Sequence, residues 1–377
     1  MSQNNKLFKV LDEHIYFNNA QESQEYAKNN PGKVIVRNLD EQEASIEKRV
    51  VKKEKKLQKT PKMILNYLNE HIVAQEEAKR DIALTMYYHS LKSKYFNAIE
   101  NSSPIMLVGP TGSGKTFVVE KACEYMDMLF MHVDTSSMVP EGIKGYSISD
   151  LAEDIVKLSG YDINRAMKCV VFFDEVDKLF KNDENTTDYG SDIANQLLRF
   201  IEGRFISLSK EVYVKTAYKV LSTSLSTKYM QFILGGAFQW IIDTKPKHSS
   251  SIGFTREEQN LSERITLEDL YKEGVPKELL GRMQTIVNLK KLSKEDYLQI
   301  LTSSKSSPMH EFIQKIEFHG DKVEISDEAL EDVARVASES ELGVRALKQI
   351  LKGMFRDALF NTADGEHQTY TIKYEKQ

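Results

Sequence analysis

The sequence contains little cysteine and no long apolar run, and both absences exclude classes of protein. Its 377 residues include two cysteines, too few for a disulfide framework or a four-cysteine zinc site. No stretch is apolar over the length that spans a bilayer, and the first residues, MSQNNKLFKV, lack the apolar centre of a signal peptide. We therefore expect a cytoplasmic protein with no membrane partner. Cys169, within the apolar run CVVFF, is expected to be a buried, reduced thiol.

The chain also lacks the overall positive charge of a general polyanion binder. Its formal net charge is -5, and hydrophobic residues make up 41 %, a proportion typical of globular proteins. Residues 48–62 are the exception, because they include eight Lys and Arg side chains. We interpret this run as a solvated helical linker, and contact with nucleic acid or an acidic protein is the alternative.

The order of predicted elements divides the chain into parts. Near the N-terminus, HIYF and KVIVRNL are typical of strands. From Pro61 onward, continuous apolar strands alternate with helices, which predicts a parallel sheet covered on both faces. Residues 68–89 are predicted to form one amphipathic helix, and the chain becomes mostly helical after Val287, with two short strand-like runs, DKVEIS and TYTIKYE, that can pair. The predicted parts are an N-terminal appendage (1–45), a basic linker (46–60), a large α/β domain (61–287) and a small helical domain (288–377).

The segment GPTGSGKT matches the phosphate-binding pattern G-x-x-x-x-G-K-[ST] and lies between a predicted strand and a predicted helix. Its glycines allow backbone N–H groups to turn towards a phosphate, and the start of the helix adds favourable partial charge. The lysine is expected to reach the β- and γ-phosphates and the threonine to hold Mg²⁺. The predicted ATP-binding residues of this loop are Gly109, Pro110, Thr111, Gly112, Ser113, Gly114, Lys115 and Thr116.

A second motif supplies the carboxylates that such a loop needs. CVVFFDE is an apolar strand that ends in Asp174 and Glu175. Asp174 is expected to support the Mg²⁺ ion, and Glu175 to orient and polarise the attacking water. Together the two motifs predict an enzyme that binds ATP with Mg²⁺ and hydrolyses it.

At these residues the chain resembles the ClpX family of AAA+ unfoldases, the ATP-binding subunits of the Clp protease. The resemblance extends over roughly residues 61–360 and depends on motifs in the family's order: LNEHIVAQEEAKRDIA, FFDEVDKLF, ANQLLRFIEG, FILGGAF, VPKELLGR and ELGVRALKQIL. It implies a P-loop AAA+ domain with a parallel sheet between helices, followed by a small, mostly helical lid domain. It also implies a homo-hexamer or a mixed ring.

The resemblance assigns roles to residues outside the phosphate loop. Ile72 and Val73 would contact adenine, although Ala74 stands where the family usually has glycine. Arg282 would project into the ATP site of the neighbouring subunit, and Arg345 would contact the nucleotide phosphates. The family's four-cysteine zinc domain is absent, and residues 1–45 stand in its place.

The resemblance also implies a route for a polypeptide through the ring. GYSI stands where the family carries its first pore loop, Gly-Tyr-Val-Gly, so that Gly145 and Tyr146 would contact a translocating chain, with Ile148 in place of the second glycine. The second pore loop would lie in KNDENTTDYGSDIAN, which lacks the expected arginine. The family's substrate-gate loop is missing between Gly203 and Lys228, where EVYVKTAYKVL is strand-like.

Ile252, Gly253 and Phe254 match the apolar-Gly-Phe tripeptide with which ClpX-like rings bind a ClpP peptidase. The implied function is ATP-driven unfolding of unfolded or tagged protein substrates and their threading into a ClpP-like peptidase. A peptidase-independent remodeller of protein complexes is the alternative. A nucleic-acid remodeller that uses residues 48–62 is a third reading, disfavoured by the pore tyrosine and the acidic net charge.

Overall fold

The computed structural model describes residues 8–10, 16–17, 25, 35–37, 59–94, 103–180, 189–214, 217–244, 264–283, 285–362 and 368–374. The chain divides into two compact units, Met1–Lys59 and Thr60–Gln377. The domain boundaries proposed within the second unit stay predictions. The Ile252-Gly253-Phe254 tripeptide, most of the basic run and the first eight residues of KNDENTTDYGSDIAN lie outside the described residues.

The first unit contains a small antiparallel sheet. Its strands are β1 (Phe8–Val10), β2 (Tyr16–Phe17) and β3 (Ile35–Arg37), in the order β2-β1-β3. β2 and β3 lie within the predicted strands HIYF and KVIVRNL, whereas β1 was not predicted from the sequence.

The second unit contains most of the helices and strands that the structure describes. Its strands are β4 (Ile105–Val108), β5 (Phe130–Asp134), β6 (Val170–Asp174), β7 (Phe205–Val214), β8 (Ala217–Ser226), β9 (Gln231–Gly236), β10 (Thr285–Asn288), β11 (Lys322–Ile325) and β12 (Thr369–Ile372). Its helices are α1 (Pro61–His71), α2 (Glu76–Lys94), α3 (Lys115–Met126), α4 (Ile148–Leu158), α5 (Ile163–Ala166), α6 (Tyr189–Ile201), α7 (Gln239–Thr244), α8 (Leu267–Lys272), α9 (Lys277–Leu280), α10 (Lys294–Thr302), α11 (Pro308–Glu317), α12 (Asp327–Glu339), α13 (Val344–Met354) and α14 (Arg356–Asn361).

The central sheet has five parallel strands in the order β10-β4-β9-β6-β5. On β4, Ile105 and Leu107 pack into one buried core, and Met106 and Val108 pack into another. Helices α1, α2 and α3 contribute to the first core, and α4 and α6 contribute to the second. Because both faces are covered, the strands are apolar at successive positions. The predicted fold class is therefore confirmed.

The prediction of one helix over residues 68–89 is wrong, because the segment forms the end of α1 and most of α2 with a turn between them. Ala74 and Gln75 have φ angles of 56° and 59°, a left-handed conformation that interrupts the helix. Gln75 is buried in this turn and its side chain donates to the carbonyl oxygens of Ser113 (3.2 Å) and Lys290 (2.8 Å). These tertiary contacts offset the strain of the turn, and the local helical pattern does not reveal them.

The C-terminal helices pack around a core of their own. The face of α12 that carries Leu330, Val333, Ala334 and Ala337 is buried there. β11 and β12, the two runs predicted to pair, form a parallel two-stranded sheet. α13 ends before Phe355, and α14 begins directly after it.

Two further sequence predictions can be compared with the structure. The strand-like segment between Gly203 and Lys228 forms β7 and β8, which pair as an antiparallel hairpin. Cys169 is a buried free thiol, as predicted, and burial raises its pKa. Within the described residues, none of the helices combines the length and the apolar character that crossing a membrane requires.

Candidate active site

A cleft of about 690 Å³ lies between the phosphate loop and the C-terminal helices. Its charged end is formed by residues of α3, β6 and α13, and its apolar end by the α1–α2 turn and by α10. Its size is in the range of small-molecule sites, and the combination of polar and apolar walls suits a ligand that carries both a charged group and an aromatic ring.

The phosphate loop turns sharply between β4 and α3. Gly112 and Gly114 have φ angles of 74° and 93°, which side chains other than glycine rarely adopt. Gly112 also packs closely against Gly343. A Cβ atom at position 112 would lie only 2.7 Å from the Gly343 Cα, so this approach requires glycine. The N–H of Val344 donates to the Gly112 carbonyl at 3.3 Å. This close approach brings the start of α13 to the phosphate loop.

Lys115 and Ser113 are suited to a phosphate ligand. Lys115 is buried, and its Nζ donates to the carbonyl oxygens of Gly109 (2.7 Å) and Pro110 (3.1 Å) in its own loop. Burial lowers the pKa of Lys115, because a charged amine loses hydration there. The Ser113 hydroxyl is also buried and has no protein hydrogen-bond partner. A bound anion would provide a partner for both groups.

Thr116 and Asp174 form the predicted metal pair. The Thr116 hydroxyl donates to Asp174 Oδ2 at 3.1 Å, and the Glu175 N–H donates to Oδ1 at 2.9 Å. Burial opposes ionisation of Asp174, but hydrogen bonds from its neighbours outweigh that effect, so that its pKa lies below the ordinary value. A hydroxyl and a carboxylate are oxygen donors of the kind that Mg²⁺ prefers, so these residues fit the ion.

Glu175 lies at the edge of the same cleft. Its φ angle of 58° is left-handed, which is uncommon for a residue with a side chain and is often found at functional sites. Its carboxylate forms an ion pair with Lys178, one turn further along the chain. The carboxylate is partly exposed and lines the cleft, where a water molecule can reach it.

The apolar end of the cleft includes both residues predicted to contact adenine. Ile72 and Val73 line it together with Leu292 and Ile300. On the same side, His71 Nδ1 lies 2.7 Å from the Ser306 hydroxyl. Ala74, at the position where the ClpX family usually has glycine, adopts a left-handed conformation that glycine adopts more readily.

The two predicted arginines have different positions. Arg345 lines the cleft, and its charge lies close enough to that of Lys115 to contribute to the lowered pKa of the lysine. Two cations that converge in this way suit a polyphosphate. Arg282 does not line the cleft, and instead donates to the Glu202 carboxylate at 2.6 Å.

The predicted pore residues lie at the base of a loop between β5 and α4. The Val139 N–H donates to the Tyr146 carbonyl at 2.9 Å and closes this loop. The Tyr146 ring packs against the buried core, and burial, with the nearby Asp154, raises its pKa to about 12. Gly145 approaches Val139 so closely that a Cβ atom would lie 2.7 Å from Val139 Cγ2. The apolar side chain at the exposed tip is Ile143, within Gly142-Ile143-Lys144-Gly145.

Four residues at or near the predicted site were missed by the sequence analysis: Gln75, His132, Lys178 and Glu202. His132 Nε2 lies 3.4 Å from Asp174 Oδ2, and this contact raises the pKa of His132. His132 is the central residue of β5, and the register of β5 with β6, not its position in the sequence, brings it near Asp174. The sequence alone therefore did not predict this contact.

Comparisons with known proteins agree with this geometry. Residues 105–231 match the AAA family model, described as "ATPase family associated with various cellular activities". The chain is 30 % identical over 330 residues to the ATP-dependent Clp protease ATP-binding subunit ClpX of Treponema denticola, with 80 % of this chain and 77 % of that protein covered. It is 29 % identical over 318 residues to the protein of the same name from Borrelia duttonii, with 80 % and 74 % covered.

Proposed function

This chain belongs to the ClpX family and is an AAA+ ATP hydrolase of divergent sequence; we propose that it unfolds proteins and threads them into a ClpP-like peptidase. The observation that carries the proposal is the cleft in which the phosphate loop, Glu175 and Arg345 meet. The experiment that tests the whole function is degradation of a tagged, folded substrate by the chain and a ClpP-type peptidase with ATP. Unfolding without degradation would favour a peptidase-independent remodeller.

The residues of the cleft divide the hydrolysis reaction between them. Backbone N–H groups of the loop, Lys115 and Arg345 bind the phosphates, and the lysine must leave the Gly109 and Pro110 carbonyls to do so. Thr116 and Asp174 would hold Mg²⁺, which neutralises charge on the β- and γ-phosphates when bound. The Glu175 carboxylate accepts a hydrogen bond from the attacking water and polarises it. For this Glu175 must loosen its ion pair with Lys178.

Ring assembly would complete the site. Arg282 lies outside the cleft of its own chain and is about half exposed, which supports a role in the ATP site of a neighbouring subunit. Its present partner, Glu202, holds it by an exposed ion pair of the kind that contributes about 0–1 kcal/mol. Exchange of Glu202 for a phosphate across a subunit interface therefore costs little.

Translocation would depend on the loop that begins at Val139. Tyr146 stays a prediction as the gripping residue, but its packing against the core makes Ile143, exposed at 40 %, the stronger candidate for contact with a substrate. Gly142 and Gly145 flank Ile143 with the spacing of the family's Gly-x-x-Gly pore loop. An aliphatic side chain in that position grips a polypeptide by apolar packing, with little demand for a particular sequence.

We expect Ile143→Ala to lower the amount of substrate unfolded per ATP hydrolysed several-fold, because the loop loses the apolar group at its tip. The measurement is unfolding of a tagged stable domain alongside ATP turnover, with the thermal midpoint as a check on folding. Tyr146→Ala is the comparison, and it should mainly lower the thermal midpoint, because the ring packs against the core. Two results together would favour Tyr146 as the gripping residue. Tyr146→Ala would have the thermal midpoint of the wild type but fail to unfold substrate, and Ile143→Ala would unfold substrate as the wild type does.

We expect Phe254→Ala to abolish association with a ClpP-type peptidase while it leaves ATP turnover unchanged. Burial of a phenylalanine side chain in a partner's cleft contributes about 1.5–3 kcal/mol, and several such tripeptides on one ring would act together. The measurement is degradation of an unfolded tagged substrate with the peptidase present, and Thr255→Ala is the matched control in the same segment. A Phe254→Ala variant that degrades as fast as the wild type would contradict docking through this tripeptide.

The nucleic-acid alternative is separated from both protein-directed functions by one assay. Unfolded protein should stimulate ATP turnover, whereas DNA and RNA should not. Stimulation by nucleic acid that is lost when the lysines and the arginine of residues 48–62 are replaced would favour the alternative instead.

A further inference from the structure

His132 is the one imidazole among the described residues that contacts the predicted metal pair. Its Nε2 lies 3.4 Å from Asp174 Oδ2, the oxygen that also accepts from the Thr116 hydroxyl at 3.1 Å. The three side chains come from β5, β6 and the start of α3, so they meet only in the folded domain. Neither phosphate binding nor activation of water requires an imidazole at this position.

Two contacts orient the His132 ring. β5 and β6 are parallel, and their register places His132 beside Phe172, on which its ring stacks with centroids 5.8 Å apart and planes inclined by 16°. From this position Nε2 is directed towards the carboxylate at the end of β6, two residues beyond Phe172. The His132 side chain is 44 % exposed. The imidazole is therefore oriented by packing on Phe172 and by its contact with Asp174, and part of it is exposed to solvent.

The separations between the donor atoms suit a common cation. Ligands of an octahedral ion at about 2.0–2.2 Å, placed at right angles to one another, lie about 3 Å apart. The pairs Thr116 Oγ1 with Asp174 Oδ2 (3.1 Å) and His132 Nε2 with Asp174 Oδ2 (3.4 Å) are close to that separation. Asp174 Oδ2 is common to both pairs, so the carboxylate lies beside both of the other donors.

We propose that His132 is a third protein ligand at the nucleotide-metal site, which therefore accepts a first-row transition-metal ion with the nucleotide as well as Mg²⁺. Imidazole nitrogen favours transition metals, whereas Mg²⁺ favours oxygen donors. The described residues contain no group of three His, Cys, Asp or Glu side chains that could hold an ion by themselves. In this proposal phosphate oxygens of the nucleotide complete the coordination. The inference depends on the proposed metal-nucleotide site.

Mn²⁺ is the probe, because its unpaired electrons report nitrogen ligands directly. The chain is produced with all histidines labelled with ¹⁵N and, in parallel, at natural abundance, and each is loaded with Mn²⁺ and a non-hydrolysable ATP analogue. Electron spin-echo spectroscopy should show a ligand nitrogen coupling that changes from ¹⁴N to ¹⁵N on labelling. Couplings from nitrogens of the nucleotide do not change, so the label separates the two sources.

His132→Asn should abolish that coupling, whereas His71→Asn should retain it, because His71 lines the adenine side of the same cleft. In competition, about tenfold less Mg²⁺ should displace Mn²⁺ from His132→Asn than from the wild type, as is typical when a group that supports a metal is lost. His132→Gln and the circular dichroism spectrum of both variants test whether the fold is retained.

Four outcomes would overturn the inference. A nitrogen coupling that does not change when the histidines are labelled with ¹⁵N would exclude His132 as a ligand. A coupling that persists in a folded His132→Asn variant would do the same. Both results would leave the proposed nucleotide site intact. An unchanged Mg²⁺ competition in the variant would exclude a role in metal preference. A chain that binds no Mn²⁺-nucleotide at all would contradict the proposed site itself, and the inference with it.

Discussion

Glu175→Gln is expected to lower ATP turnover about 10²–10⁴-fold, the usual contribution of a general base, while nucleotide binding is kept. The amide occupies the same volume and still hydrogen-bonds to water, but it cannot polarise the water as a carboxylate does. The left-handed backbone at position 175 is unchanged by this substitution, so the side chain should remain at the edge of the cleft. The measurement is steady-state ATP hydrolysis combined with calorimetric binding of a non-hydrolysable analogue.

Two comparisons make the Glu175→Gln result specific. Glu324→Gln changes a carboxylate on β11, away from the cleft, and should leave turnover within about twofold of the wild type. Lys178→Met removes the cation that pairs with Glu175. The double variant Glu175→Gln with Lys178→Met should hydrolyse ATP no more slowly than Glu175→Gln alone, because the ion pair is already lost in the single variant. If Glu175→Gln hydrolyses ATP at a rate near the wild type, another group activates the water.

Arg282→Ala is expected to lower ATP turnover about 10³–10⁵-fold, the range in which an arginine supplied across an interface acts. The reason is charge: the transferred phosphoryl group gains negative charge in the transition state, and Arg282 is proposed to reach it from the neighbouring subunit. Arg204→Ala is the matched control, because Arg204 is also near Glu202, at 3.6 Å. Only the Arg282 variant should lose turnover, and both should still bind nucleotide.

A mixing experiment distinguishes a role across the interface from a role within one chain. Neither Arg282→Ala nor Glu175→Gln is expected to hydrolyse ATP alone. In mixed rings, some interfaces would join an intact Glu175 in one subunit to an intact Arg282 in the next, so turnover should partly recover. Rings shown to contain both variants, yet still inactive, would argue that Arg282 acts through its own chain.

Much of the nucleotide site was predictable from sequence because its parts are local. The phosphate loop carries its turn glycines, its lysine and its threonine within eight residues, and the strand–helix context follows from the apolar pattern beside it. Asp174 ends the apolar strand β6 and Glu175 follows it directly, so their position at the carboxyl end of a parallel sheet follows from the alternation of strands and helices.

Other predictions failed or remained incomplete where distant contacts decide the outcome. The helical pattern of residues 68–89 is continuous, yet Gln75 breaks it by bonding to backbone carbonyls 38 and 215 residues away. Tyr146 stays a prediction as the gripping residue, and the hydrogen bond from the Val139 N–H to the Tyr146 carbonyl closes a local loop in which Ile143 is an exposed apolar side chain. Residue type therefore did not determine which side chain faces solvent.

The sequence by itself determined the fold class, the phosphate-loop motif and the apolar strand that ends in Asp174, because short segments carry both the geometry and the chemistry of these features. Only the tertiary structure decided which residues join them. Gly343 packs on Gly112 and thereby brings Arg345 to the cleft, and strand register brings His132 to Asp174. Such contacts depend on the packing of elements that are far apart in the chain. The propensity of single residues and the periodicity of a segment describe only local structure, so they do not predict these contacts.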